Sequence, residues 1–221
     1  MKRKTAVVFG ATGLVGSELV RELESDERYS AVKVLVRRDV EFDGEKTEVL
    51  KVNVSDVNSY ATDIKGDELF ICLGTTIKKA GSVSAMEAAD RDLPAEIAIA
   101  AINNGVEAVA VVSSIGADPG SRNYYLRIKG EMEERIAGAG FKRTVIVRPS
   151  ILFGKRKEYR FGEEMGKAIM KVFRFLLMGR LRKYRGIEAR DVARAMIRLI
   201  NDRSAHARVY YESDSLLLLY P

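Results

Sequence analysis

A chain of 221 residues has the length of one α/β domain, with room for a small appended lobe. A hydrophobic share of 47% and a charged share of 31% suit a folded soluble protein, and no apolar stretch reaches the roughly 18 residues that a bilayer span needs. A lone cysteine, Cys72, excludes a disulfide framework, and a lone histidine, His206, argues against a structural zinc site or a Ser-His-Asp triad. No metal site is expected. Cys72 lies in an apolar run and reads as a buried structural thiol. The basic N-terminus passes at once into a strand pattern, so no secretory signal is expected and a cytoplasmic location follows.

The formal charge of +6 is unevenly placed. Between Lys155 and Arg185 stand eleven basic and three acidic side chains, so the basic character belongs to that segment. No nucleic-acid-binding motif accompanies it, and an anionic cofactor or substrate accounts for it at least as well.

In chain order, Thr5–Phe9 reads as a central parallel strand buried on both faces. Leu14–Leu23 carries apolar residues at helical spacing, and Ala31–Val36 and Thr47–Val54 are the next strands. Leu69–Leu73 is a fourth strand, followed by a long helix over Ser84–Asn103. Ser84 and Glu87 form a capping box at its start, and Asn104-Gly105 ends it. Val109–Val112, a helix over Tyr124–Ala137 and Thr144–Val147 complete six strands, with Pro149 stopping the last. Such alternation predicts an α/β fold, a doubly wound parallel Rossmann sheet ordered 3-2-1-4-5-6. The whole chain, 1–221, is then one domain, with a small substrate or cap lobe within about 150–221. That lobe would hold helices near Glu163–Met178 and Arg190–Ile200 and a last strand around Arg208–Tyr211.

The first strand runs into Gly10-Ala11-Thr12-Gly13-Leu14-Val15-Gly16, a G-x-x-G-x-x-G loop opening a helix. Gly10 permits the tight turn, Gly13 lets amides approach a pyrophosphate, and Gly16 lets the helix pack on the sheet. The helix N-terminus offers free N–H groups to the anion. The strand before and the helix after supply the context that a glycine pattern alone lacks. About 20 residues on, where NAD enzymes carry an acid for the ribose, stand Arg37 and Arg38, which suit a 2′-phosphate. NADP is therefore the expected cofactor, with Asp39 keeping NAD as the alternative. The fourth strand ends in Cys72-Leu73-Gly74, where a glycine lets a cofactor lie against the backbone.

After the fifth strand come Ser113 and Ser114, then Tyr125 and Lys129 one helical turn apart. A lysine beside a phenol lowers its pKa toward a value useful for proton transfer. Tyr124 has no lysine four residues on, which favours Tyr125. Ser114, eleven positions before Tyr125, is preferred over Ser113 as the hydroxyl that holds a substrate oxygen, without excluding the latter.

Taken together, these residues resemble the short-chain dehydrogenase/reductase superfamily, and more narrowly its atypical branch, which holds the Tat-interacting oxidoreductase and its bacterial NAD(P)-binding relatives. The resemblance runs through the glycine loop, Arg37-Arg38, Cys72-Leu73-Gly74-Thr75-Thr76, Ser113-Ser114, Gly116-Ala117-Asp118, Tyr125 to Glu131 and Arg148-Pro149. It implies NADP held by Thr12, Gly13, Leu14, Val15, Arg37, Arg38, Leu73, Gly74, Tyr125 and Lys129, with Leu152 and Arg160 also touching it. The expected activity is hydride transfer between a nicotinamide and a carbonyl or alcohol substrate, with that small molecule as the partner. One alternative is a non-catalytic NADP sensor or scaffold. Another is a nucleotide-sugar epimerase or dehydratase, although about 70 residues after Pro149 leave little for its larger substrate lobe. The helix expected at Glu163–Met178 and the apolar Leu216–Leu219 run suggest self-association, which a packed tail would make unnecessary.

Overall fold

Side chains along a strand point alternately to its two sides, and β1 (Lys4–Phe9) buries both. Ala6 and Val8 enter one core, while Val7 and Phe9 enter the other. The computed structural model in which this is seen describes residues 3–154, 186–202 and 207–219. After β1 come α1 (Leu14–Ser25), β2 (Tyr29–Val36), β3 (Thr47–Lys51) and β4 (Glu68–Ile71). Two short helices, α2 (Ile77–Ala80) and α3 (Val83–Glu87), lead through a π-helical turn at Ala88–Asp92 into α4 (Leu93–Asn103). Then follow β5 (Ala108–Val112), α5 (Tyr124–Gly138), β6 (Arg143–Arg148) and β7 (Leu152–Phe153). Beyond residue 185 the described elements are β8 (Ile187–Glu188), α6 (Ala189–Ile200), β9 (Arg208–Glu212) and α7 (Ser213–Leu219).

The expected sheet order is observed, extended at one edge: β3-β2-β1-β4-β5-β6-β9, with every pairing parallel. The alternation of β1 repeats across the sheet. Val34, Phe70, Ala110 and Val145 face one core; Leu35, Leu69, Val109 and Ile146 face the other. Helix α1 covers the first core with Val15, Leu19 and Leu23, and α6 adds Val192, Ala193 and Met196. The second core is closed by Ile97 and Ala101 of α4 and by Met132 and Ile136 of α5. Both faces are thus sealed, the condition for parallel strands built of uninterrupted apolar runs.

The long helix expected over Ser84–Asn103 is broken into pieces. Its first cap is Ser82, which accepts the Ala85 amide at 3.1 Å, while the Ser84 hydroxyl bonds that of Ser82 at 3.2 Å. The π turn has a local cause. Pro94 has no N–H to return to Asp90, and the Leu93 amide bonds the Ala88 carbonyl five residues back. Gly105, at φ +82°, ends α4 as the Asn-Gly signal implies. Strand β3 stops at Lys51, short of the expected Val54, because the chain turns into 3-10 turns at Val57–Ser59 and Ala61–Asp63.

The described part of 150–221 is woven into the main sheet. Strand β9 pairs with β6 from Thr144↔Arg208 to Arg148↔Glu212, and α6 lies against α1. Leu152 and Ile187 pair in a separate two-stranded parallel sheet. The basic segment 155–185, with the helix expected at Glu163–Met178, and His206 lie outside the described residues. Of the apolar tail, Leu216 is fully buried in the first core, Leu219 packs against it and Leu218 is exposed. Packing of the tail therefore covers much of what would otherwise call for self-association. Leu216→Ala should lower the unfolding free energy by about 2–5 kcal/mol, the range for truncating a buried leucine; urea denaturation checks this, and a loss of a few tenths would place α7 outside the core.

Candidate functional site

In a parallel sheet every strand ends on the same edge, and the loops singled out in the sequence meet there. Gly10, at φ +80°, sits so close to the β4 exit that a Cβ would lie 2.5 Å from the Cys72 carbonyl oxygen. A Cβ on Gly16 would overlap the Gly10 carbonyl, which explains how α1 can start so near the strand it follows. Gly13 is the N-cap of α1, contributes no side-chain cap, and is followed by no acid in the first turn. The first amides of α1 are thus left to an anion. Thr12 and Gly13 are exposed, Leu14 is half-buried and Val15 is in the core. Leu14 reaches toward Gly154, where a Cβ would meet its Cδ1 at 2.9 Å, so β7 and half-buried Leu152 border the glycine loop.

Arg37 and Arg38 are exposed at the end of β2. Among the described residues neither forms an ion pair, whereas Asp39 bonds Lys51 at 2.6 Å. Beside them an open cleft of about 710 Å³ is lined by Val36, Val40 and Val49 together with Asp39, Glu41 and Lys51. Arg160 lies outside the described residues.

At the β4 exit the Cys72 thiol packs against the core, and burial pushes its pKa up to about 12, so it is inert. Leu73 packs on the second core and Gly74 is exposed. A Cβ on Gly74 would come within 3.9 Å of Lys129 Nζ, so this bare backbone edges the lysine.

The two serines diverge. Ser113 is buried, its amide continues β5 by bonding the Val147 carbonyl at 2.8 Å, and its hydroxyl has no hydrogen-bond partner among the described residues. Ser114 is half-buried, its hydroxyl donates to the Ile115 carbonyl at 3.4 Å, and it lies near enough to Tyr125 to favour the phenolate. Helix α5 is capped by Asn123, which accepts the Leu126 amide at 3.2 Å. The serine loop docks on it through Asp118 N–H to the Leu126 carbonyl, 3.1 Å. Gly130 makes the docking close, since a Cβ there would overlap the backbone of Asp118 and Pro119.

Electrostatics departs from the sequence expectation. Tyr125 is 37% exposed as a whole, but desolvation of its phenol, and then the charge of Asp90, hold it above its ordinary value near 10, with nearby Ser114 opposing. The lysine expected to lower it faces elsewhere: Lys129 is buried, and its ammonium lies 3.9 Å from Asp90 Oδ2. Burial lowers the Lys129 pKa, and Asp90 and Glu133 oppose that. Glu133, one turn beyond Lys129, is clamped in turn by Arg148 through bonds of 2.9 and 2.5 Å.

Asp90 was missed in the sequence. It is fully buried, accepts the Thr75 amide at 2.8 Å through Oδ1, and leaves Oδ2 without a hydrogen bond among the described residues. An acid flanked by Ala88, Ala89 and a nearby proline was the available signal.

Comparison with known proteins gives the arrangement a context. Residues 10–203 match the model of a family described as NAD(P)H-binding. "Protein FMP52, mitochondrial" of Candida glabrata is 36% identical over 73% of this chain and 70% of its own. "Protein HTATIP2" of Rattus norvegicus is 33% identical over 76% and 70%. Among solved structures, the Bordetella bronchiseptica enzyme WbmH in complex with NAD+ superposes with a TM-score of 0.69 at 17% identity, covering 96% of this chain and 76% of that one. The fungal relatives are named mitochondrial, which overturns the cytoplasmic location expected from the sequence.

The serine loop supplies a test of the geometry. Gly130→Ala should cost about 1–3 kcal/mol, because neither the Pro119 ring nor the backbone beside it can yield easily. Chemical denaturation measures this; a neutral substitution would mean that the loop and α5 are not in close contact.

Proposed function

The chain belongs to the NAD(P)H-binding family, and from that premise we propose that it is an NADP-dependent oxidoreductase of the short-chain dehydrogenase/reductase type, acting on a carbonyl or alcohol. The observation that carries this reading is buried Lys129, its ammonium beside the bare backbone of Gly74, one helical turn from Tyr125 and at the same sheet edge as the glycine loop and Ser114.

The cradle fits a dinucleotide. Gly10 and Gly16 have no room for a side chain, and the α1 amides are uncapped. Thr12 to Val15, Leu73, Gly74 and Leu152 would line it, and Arg37 and Arg38, without an ion pair among the described residues, favour a 2′-phosphate. When bound, the nicotinamide supplies or accepts the hydride. In the reducing direction Ser114 holds the substrate oxygen, and the Tyr125 hydroxyl delivers its proton to it. A phenol held above 10 stays protonated at neutral pH and is poised as a donor. Lys129 contributes a buried positive charge and hydrogen-bond donors beside Gly74, suited to a ribose hydroxyl.

A second reading, NADP binding without turnover, draws support from the same geometry, since the ammonium of Lys129 is engaged by Asp90 rather than by the phenol. An epimerase or dehydratase draws no support beyond the shared fold.

Calorimetric titration should show NADPH binding more tightly than NADH, and Arg37→Ala/Arg38→Ala should erase the difference. Equal affinities in the parent protein would remove the NADP assignment. For chemistry, Tyr125→Phe should leave NADPH affinity nearly unchanged while slowing single turnover of a carbonyl substrate by about a hundredfold or more. A variant with full turnover would dismiss this tyrosine as the acid, and tight binding with no carbonyl reduced across a broad screen would favour the sensor.

A further inference from the structure

The two buried carboxylates facing Lys129 are treated very differently by the fold. Glu133 is saturated: both its oxygens are held by the Arg148 guanidinium in a forked pair. Asp90 has one oxygen fixed by the Thr75 amide, and the other is buried, without a hydrogen bond among the described residues, and directed at an ammonium 3.9 Å away. A carboxylate kept for stability alone would be closed off as Glu133 is, because an unsatisfied buried oxygen opposes folding. The chain also departs from regular helix to put Asp90 there. Residues Ala88–Asp92 form a π turn, a local irregularity that recurs at functional positions.

We propose that Asp90 is a positioning residue: it keeps Lys129 charged, holds its ammonium beside the bare backbone of Gly74, and ties it through the Thr75 amide to the β4 exit. This rests on the reading of Lys129 as a cofactor-site lysine and adds the group that governs it. The serine loop presents Ser114 to Tyr125, and the π turn presents Asp90 to Lys129, so each half of the Tyr-Lys pair has its own supporting element. Burial drives the carboxyl of Asp90 up and the ammonium of Lys129 down, and each charge resists the neutralisation of the other.

Among the described residues the titratable and charged surroundings of Lys129 are limited. Asp90 faces it from the π turn, Tyr125 and Glu133 share its helix, and Glu133 is neutralised by Arg148 of β6. Arg91 and Asp92, beside Asp90, pair outward with Glu131 and Arg135. Among the described residues the β4 exit offers the Thr75 amide and the un-ionised Cys72 thiol.

Asp90→Asn tests the proposal, since its amide oxygen can still accept from Thr75 while the charge is gone. Thermal melting and NADPH calorimetry would be run from about pH 6 to about pH 10 on the parent, Asp90→Asn, Lys129→Met and the double variant. Without its counter-charge Lys129 has a folded pKa further below its ordinary 10.5. A lysine depressed in this way opposes folding at low pH, and the penalty fades as pH rises toward the unfolded value. The melting deficit of Asp90→Asn should therefore be largest near neutrality and shrink toward about pH 10. Its NADPH affinity should behave oppositely, with a loss that grows to at least about tenfold as pH rises through the lowered pKa of Lys129 and is smallest near pH 6. In the Lys129→Met background the same substitution should no longer destabilise but should restore what Lys129→Met alone loses, so that the double variant melts close to the parent. Deficits that stay constant across the pH range, or persist undiminished without Lys129, would make Asp90 a structural carboxylate and overturn the proposal. If the parent binds neither NADPH nor NADH, the proposed function falls, while the melting cycle on the free protein still decides whether Asp90 governs Lys129.

Discussion

Parallel strands carry both of their faces into apolar surroundings and all of their carboxyl ends to one edge, and the rest of this molecule follows from that. Sealing both faces requires crossover helices, and α1, α4 and α5 supply them between successive strands. With both faces closed, polar work is confined to the ends of the strands. The glycine loop, the arginine pair, the β4 exit and the serine loop all leave from the same edge. Their proximity is therefore a consequence of topology rather than of any direct attraction between them. The Gly10–Cys72 approach sharpens it, since two neighbouring strands leave the sheet with almost no gap between their backbones.

The opposite end of the sheet is held by a different device. Tyr29 donates to Glu68 at 2.5 Å, Asn201 donates to the Tyr29 oxygen at 2.8 Å, and Lys4 also pairs with Glu68. These residues come from β2, β4, β1 and the end of α6, so a polar cluster binds the last long helix to the first strands. On the helix surface Glu22 of α1 meets Arg190 and Arg194 of α6 at 2.6 and 3.0 Å. Here every partner is well matched. At the carboxyl edge, by contrast, Asp90 Oδ2 and the Ser113 hydroxyl are buried without hydrogen-bond partners among the described residues. Proteins generally satisfy buried polar atoms, so those that stay unsatisfied call for an explanation in strain, a bound water or ion, or function. The contrast between the two ends of one sheet separates anchoring from chemistry.

Much of this was legible in the sequence because it is local. Apolar runs of five or six residues, glycines at turn spacing and a proline after Arg148 each act over a few positions, so the succession of strands and helices and the 10–16 loop could be read directly. Tyr125 and Lys129, four apart, had to share a helix face. The strand around Arg208–Tyr211 was recognisable as an element and Leu216–Leu219 as an apolar run, but their place was not, because nothing local says which edge a seventh strand joins.

Residue pattern by itself thus determined the parallel α/β fold, the glycine turn that opens α1 and the placing of Tyr125 and Lys129 on one helix. Only the tertiary structure decided which charges those residues feel. Lys129 was expected to act on the phenol one turn away, yet its ammonium faces Asp90, thirty-nine positions earlier, while Ser114 meets Tyr125 across a loop closed by Gly130. Helical spacing constrains where two Cα atoms lie. The protonation of a buried group depends on how much water is excluded and on which charges from distant segments are folded against it, and those are properties of the assembled chain alone.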